Sequence, residues 1–103
     1  MFRIELYVPE SHLEDVKNAL FQAGAGRVGD YDGCAWQTPG TGQFRPSAGS
    51  SPFIGSPGEK EIVEEYKVEL VCEESFLVSA IAAMKEAHPY EEPAYGVIRL
   101  EPV

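Results

Sequence analysis

Residues 1–26 read MFRIELYVPESHLEDVKNALFQAGAG, a strand-like stretch followed at once by a helix-like one. Apolar and polar side chains alternate over residues 2–8, the period-two pattern of a strand with one face on a core. Ser11 and Glu14 have the spacing of a capping box, and apolar residues then recur at helical spacing. The stretch predicts a first strand and a helix that runs to about Ala23.

The second half of the chain has the same strand-then-helix order. A long strand is predicted over residues 66–72, with a start as early as Glu61, and a helix over residues 76–87. Two further strands are predicted. One covers about 28–38, which contains aromatic and small residues, and the other covers 94–100.

These elements predict a ferredoxin-like α+β fold of βαββαβ order. Two βαβ halves with right-handed crossovers give a four-stranded antiparallel sheet with both helices on one face. The chain of 103 residues is expected to be a single domain, residues 1–103. The other face of the sheet is then open to solvent unless something packs on it. Tyr7, Trp36 and Val71 are candidates to lie on that face, and a second subunit is the usual way for a small domain to bury it.

A long Gly/Pro-rich loop is predicted at about residues 39–58. Prolines and glycines recur there among serines, so no regular element is expected. Loops of this size are usually functional or mobile. Phe44, Phe53 and Ile54 are apolar enough to anchor the loop on another surface.

Composition restricts the partners. The chain has 8 Lys+Arg against 17 Asp+Glu, a formal net charge of -9, which disfavours nucleic acid and anionic membranes. No secretory signal is visible, and no apolar run approaches the roughly 18 residues of a membrane span. The sequence therefore predicts a cytoplasmic protein. Cys34 and Cys72 lie far apart, without the spacing of a zinc knuckle or a disulfide framework.

The most distinctive motif is HPYEEP at residues 88–93. It places an imidazole, a phenol and two carboxylates between prolines that fix the backbone on both sides. One interpretation is contact with a small ligand or a metal ion. The other, which carries more weight because no second histidine is near, is that His88 and Tyr90 are hydrogen-bonded packing residues between helix and strand.

Two sets of candidate site residues follow. The ligand-binding set is His88, Tyr90, Glu91, Glu92, Phe44 and Arg45. The set for a divalent metal ion, copper or zinc, is His88, Glu91 and Cys34, with Cys72 as an alternative thiol, because imidazole, carboxylate and thiolate bind such ions. No serine has an adjacent base, so no catalytic residue is assigned.

Three blocks of the sequence together resemble a known family. They are residues 23–31, 40–46 and 88–95, and they look like the insert domain of YqfO-type members of the Nif-three-like family, here as a stand-alone chain. The last block also resembles CutA proteins, whose fold is shared with the PII signalling proteins. The resemblance implies a CutA/PII-like fold that assembles as homotrimers with the sheets facing inward.

The resemblance also bears on function. The dinuclear metal centre of two-domain family members belongs to the flanking domain, so its ligands are not transferred to this chain. The link of CutA with divalent-cation tolerance implies a metal role for His88 alone, and the loop at 39–58 occupies the place of the partner-binding loop of PII proteins. The leading hypothesis is a non-catalytic, homo-oligomeric regulatory or binding module. The alternatives are a divalent-metal binding protein and an enzyme with an inter-subunit active site.

Overall fold

A computed structural model describes residues 1–103 as four strands and two helices. The elements are β1 (Phe2–Val8), α1 (Leu13–Gln22), β2 (Trp36–Phe44), β3 (Glu61–Cys72), α2 (Glu74–Ala87) and β4 (Tyr95–Arg99). The strands form one antiparallel sheet in the order β2-β3-β1-β4. Neither helix is long and apolar enough to cross a bilayer. The predicted ferredoxin-like α+β fold is confirmed.

The core lies between the two helices and one face of the central strands. Ile4 is directly opposite Leu70 and Leu6 is opposite Val68, and all four side chains are buried. The helices and the turn after α1 add further fully buried residues: Val16, Leu20, Ala25, Ala80 and Met84. Burying a large aliphatic side chain stabilises a fold by about 1.5–3 kcal/mol, so this layer fixes both helices on the same sheet face, as predicted.

The second strand lies later in the chain than predicted. The predicted strand at 28–38 and loop at 39–58 are both corrected, because β2 extends through Pro39 to Phe44 and the loop covers 45–60. Proline is tolerated there because β2 is an edge strand, where one side needs no ladder donor. Upstream, Val28 and Tyr31 exchange two backbone hydrogen bonds of 2.9 Å across a tight turn.

The predicted capping box of α1 is wrong. Residues 10–12 form a 3-10 turn, and α1 begins only at Leu13 without a side-chain cap. The turn is closed by the His12 N–H, which donates to the Pro9 carbonyl at 3.1 Å. The Ser11 hydroxyl lies 2.8 Å from Nδ1 of His12 and is therefore paired with that ring.

Candidate functional site

His88 is the residue at which the chain leaves α2. Its backbone is extended (φ −75°, ψ 136°), since Pro89 disfavours a helical conformation for the residue before it. The side chain is only 6% exposed. Its Nδ1 accepts the backbone N–H of Tyr90 at 3.1 Å, so the proton is on Nε2, which donates to the Tyr7 carbonyl at 2.7 Å. Both ring nitrogens are thus engaged.

Burial has an electrostatic consequence for this imidazole. It lowers the pKa of His88, because the charged ring loses its hydration. The hydrogen bond to Tyr7 and the carboxylate of Glu65 oppose this effect on the pKa without cancelling it. The neutral ring therefore acts as a connector between β1 and the segment after α2.

Tyr90 is at the centre of an aromatic cluster, which we define as Phe44, Phe53 and Tyr90. The ring centroids of Phe44 and Phe53 lie 6.0 and 6.5 Å from that of Tyr90, and both rings are tilted against it. Of the two phenylalanines predicted to anchor the loop, Phe53 is a loop residue that contacts Tyr90, whereas Phe44 is the last residue of β2. The Tyr90 hydroxyl is buried without a hydrogen-bond partner, and burial, followed by the nearby Glu65 carboxylate, raises the pKa of Tyr90.

The loop over 45–60 is held by hydrogen bonds as well as by aromatic contacts. The Ser51 N–H donates to Oε1 of Glu91 at 3.2 Å, which ties the loop to the segment after α2. The Gly58 N–H donates to the Pro46 carbonyl at 2.7 Å and closes the loop at its base. The loop is therefore fixed over the outer face of the sheet, the face opposite the helices.

A groove of about 890 Å³ lies between this loop, β2 and the segment after α2. Tyr7 and Lys67, which are paired across β1 and β3, form part of its floor. The aromatic cluster lines the groove together with prolines of the loop. Its charged residues are Arg45, Lys67, Glu65, Glu69, Glu91 and Glu92.

All of the predicted ligand residues except His88 line this groove: Tyr90, Glu91, Glu92, Phe44 and Arg45. His88 does not line the groove but accepts a hydrogen bond from the backbone N–H of Tyr90. The sequence reasoning missed Tyr7, Glu65 and Lys67. Their alternation along β1 and β3 places them on the face opposite the core, and that signal could have identified them.

The proposed metal ligands are not brought together within one chain. Among residues 1–103, no three His, Cys, Asp or Glu side chains are grouped so that they could hold a metal ion. The Cys34 thiol lies 3.6 Å from the Asp32 carbonyl in the turn region after α1. Cys72 is buried at the end of β3, where burial raises the pKa of its thiol.

Comparison with known proteins finds relatives of the chain, although no protein-family model matches it. It is 48% identical over 97 residues to the "GTP cyclohydrolase 1 type 2 homolog" of Mycobacterium tuberculosis, covering 94% of this chain and 26% of that protein. It superposes on a Bacillus cereus protein related to NIF3 with a TM-score of 0.84 at 40% identity, covering 98% of this chain and 26% of that one. The chain is therefore similar to one domain of NIF3-related proteins.

The chain also shares its fold with CutA proteins. It superposes on CutA of Archaeoglobus fulgidus with a TM-score of 0.70 at 17% identity, over the whole of this chain and 87% of that one. At this identity the likeness concerns the fold alone, which is CutA/PII-like as predicted. The chain spans about a quarter of the length of the curated relatives that it matches.

Proposed function

We propose that this chain is a non-catalytic, homo-oligomeric binding module that holds a small ligand in the groove above Tyr7. The observation that carries the proposal is the groove itself. Its volume of about 890 Å³ falls within the usual range of ligand sites, roughly 300–1,000 Å³. The loop that forms one wall is fixed by Ser51 and by the aromatic cluster, so the site is formed before a ligand arrives.

A non-catalytic role is supported by the state of His88. General acid–base catalysis needs a group that can exchange a proton with the substrate. The imidazole is buried and bonded to backbone atoms at both nitrogens, so its role is positional. The cyclohydrolase-homolog name belongs to proteins of which this domain spans about a quarter, and we assign no activity of those longer proteins to it.

Homo-oligomerisation is supported by the outer sheet face beside the groove. Val71 and Ile98 flank Arg3 on neighbouring strands, and Ile98 is 46% exposed. Trp36 at the start of β2 is 67% exposed. Exposed apolar residues on one sheet face are stabilised when a second subunit covers them. We propose a trimer in which this face is turned inward.

Native mass spectrometry of untagged protein tests both parts of the proposal. The expected species is a trimer with a retained small molecule. Trp36→Ser is expected to shift the population toward monomer, whereas Val78→Ser, at an 83% exposed position on α2, should leave the trimer unchanged. A wild-type protein that stays monomeric at micromolar concentration would contradict the assembly.

A groove-filling variant tests the ligand separately. Thr38 lines the groove opposite Lys67, and Thr38→Trp places a large ring there on an edge strand that tolerates aromatic residues. The retained mass is expected to disappear, and the trimer is expected to be weakened at most by the loss of the hydrogen bond that the Thr38 hydroxyl accepts from the Trp36 ring. Val78→Trp adds the same ring outside the groove and should keep the ligand. Equal retention by the two variants would refute the groove as the site.

A further inference from the structure

We infer that the groove selects a small organic cation, an ammonium or guanidinium group with apolar substituents. This rests on the proposed function, namely that the groove binds a ligand. The charge balance of the groove supports it. Lys67 lies 3.8 Å from Glu69 and is neutralised by it, which leaves Arg45 against three further carboxylates, those of Glu65, Glu91 and Glu92. A positive ligand therefore meets a complementary charge.

The aromatic cluster supplies the second element of such a site. Elsewhere in this domain, rings are already paired with the chain's own cations: Arg27 lies over Phe76, Lys85 over Tyr95 and Arg99 over Phe2. No cation of the chain is placed in this way over Phe44, Phe53 or Tyr90. The imidazoles of His12 and His88 contact the rings of Phe53 and Tyr90, with centroids 5.4 and 4.9 Å apart, so it is the surface of these rings that lines the groove which is open to a ligand cation. Aromatic faces attract cations at distances up to about 6 Å.

Glu65 supplies the third element, a carboxylate beside the cluster. It makes no ion pair within the domain and lies close enough to the Tyr90 hydroxyl to affect the titration of that group. The position of this carboxylate depends on Gly42, because a side-chain carbon at residue 42 would overlap Glu65. Glycine at position 42 thus leaves the carboxylate in the groove beside the aromatic cluster. Negative charge and aromatic surface together are what an organic cation binds.

The chain offers a matched pair of substitutions for the test. Gly42→Ala displaces the Glu65 carboxylate, whereas Gly40→Ala, on the same strand, meets nothing within 4 Å. Both residues lie in the β region without a positive φ, so both variants are expected to fold. Glu65→Gln removes the charge directly. Glu86→Gln, at an exposed position of α2, removes one charge outside the groove.

The probes are choline and its uncharged isostere 3,3-dimethyl-1-butanol. Their binding is monitored through amide chemical shifts in NMR titrations at about 0.15 M salt, where nonspecific electrostatic attraction is screened. Choline is expected to shift the amides of Gly42 and Tyr90 and to bind about tenfold more tightly than the isostere. Gly42→Ala and Glu65→Gln are expected to abolish most of that difference. Gly40→Ala and Glu86→Gln should retain it.

Two results would overturn the inference. If the isostere or inorganic phosphate binds in the groove as tightly as choline, the cation preference is refuted while the proposed binding function stands. If none of the three probes shifts groove amides, the preference is refuted as well, and the retained mass in native spectra then decides the binding function independently. Equal choline affinity of the Gly42→Ala and Gly40→Ala proteins would show that the Glu65 carboxylate does not contribute to cation binding.

Discussion

The imidazole of His88 donates a hydrogen bond of 2.7 Å to the carbonyl oxygen of Tyr7, a residue 81 positions earlier in the chain. Tyr7 lines the groove, and the same ring accepts the backbone N–H of Tyr90. One buried side chain therefore fixes the distance between the floor of the groove and its aromatic cluster. The groove geometry depends on His88 even though His88 does not line it.

Replacement of His88 by alanine is expected to lower the free energy of unfolding by about 2–3 kcal/mol, because the Tyr7 carbonyl and the Tyr90 N–H both lose their partner. Urea unfolding followed by circular dichroism measures the change. His12→Ala is the matched control, since that ring makes only an edge contact with Phe53 and an exposed hydrogen bond with Ser11, and its loss should cost less than about 1 kcal/mol. A His88→Ala protein as stable as His12→Ala would disprove the structural role.

Stability is expected to decrease as the pH falls below about 6.5. Burial lowers the pKa of His88 in the folded protein, so below the ordinary value the unfolded chain binds more protons than the folded one. The contribution is fully present above about pH 6.5 and is lost as the pH falls through the folded pKa, with a slope of at most about 1.4 kcal/mol per pH unit. Urea midpoints between about pH 7.5 and 5.5 measure it. The slope should be absent in His88→Ala and only slightly reduced in His12→Ala, because the charge of His12 is the smallest of the effects on the pKa of His88.

Gly26→Ala is expected to destabilise the turn after α1 more than Gly29→Ala does. Both glycines have positive φ, +78° and +57°, so both substitutions introduce strain of about 1–2 kcal/mol. At residue 26, the added carbon would also lie 2.9 Å from the Cys34 carbonyl and 2.8 Å from the Phe21 ring, whereas residue 29 has open space. The free energies of unfolding of the two variants, measured by thermal unfolding, should differ by at least about 1 kcal/mol. Equal melting temperatures would show that the turn relaxes freely.

Tyr90→Phe is expected to leave stability unchanged or to raise it by up to about 1 kcal/mol. The hydroxyl is buried without a partner, so its removal eliminates a desolvated polar group while the ring contacts with Phe44 and Phe53 remain. Tyr31→Phe, at a 74% exposed position, is the control and should be neutral. A loss above 1 kcal/mol in urea unfolding would instead show that the hydroxyl donates to Glu65 in solution.

Much of the fold could be predicted because its signals are local. The alternation from Phe2 to Val8 identifies β1 and its buried face directly. The error in β2 has a physical cause. Pro39 and the glycines of β2 have low strand preference, and only the edge position of the strand, which is a property of the whole sheet, makes them acceptable.

The candidate site was predictable only in part for a related reason. The prolines around residues 88–93 indicated a rigid segment, and the interpretation of His88 as a packing residue agrees with its two backbone hydrogen bonds. Its partner Tyr7 lies in β1, and no local pattern relates the two. Glu65 was not predicted as a site residue, because its carboxylate has room in the groove only where the neighbouring strand has glycine at position 42.

The hydrogen bond between Gly58 and Pro46 separates residues 47–57 from the strands on either side of them. Insertions and substitutions between these two positions leave the ladder of β2 and β3 untouched, since a loop closed at its base tolerates changes in length at low cost. Selection can therefore act on one wall of the groove without acting on the sheet. Related domains with this loop closure can diverge in the shape and charge of the groove while their scaffold remains the same.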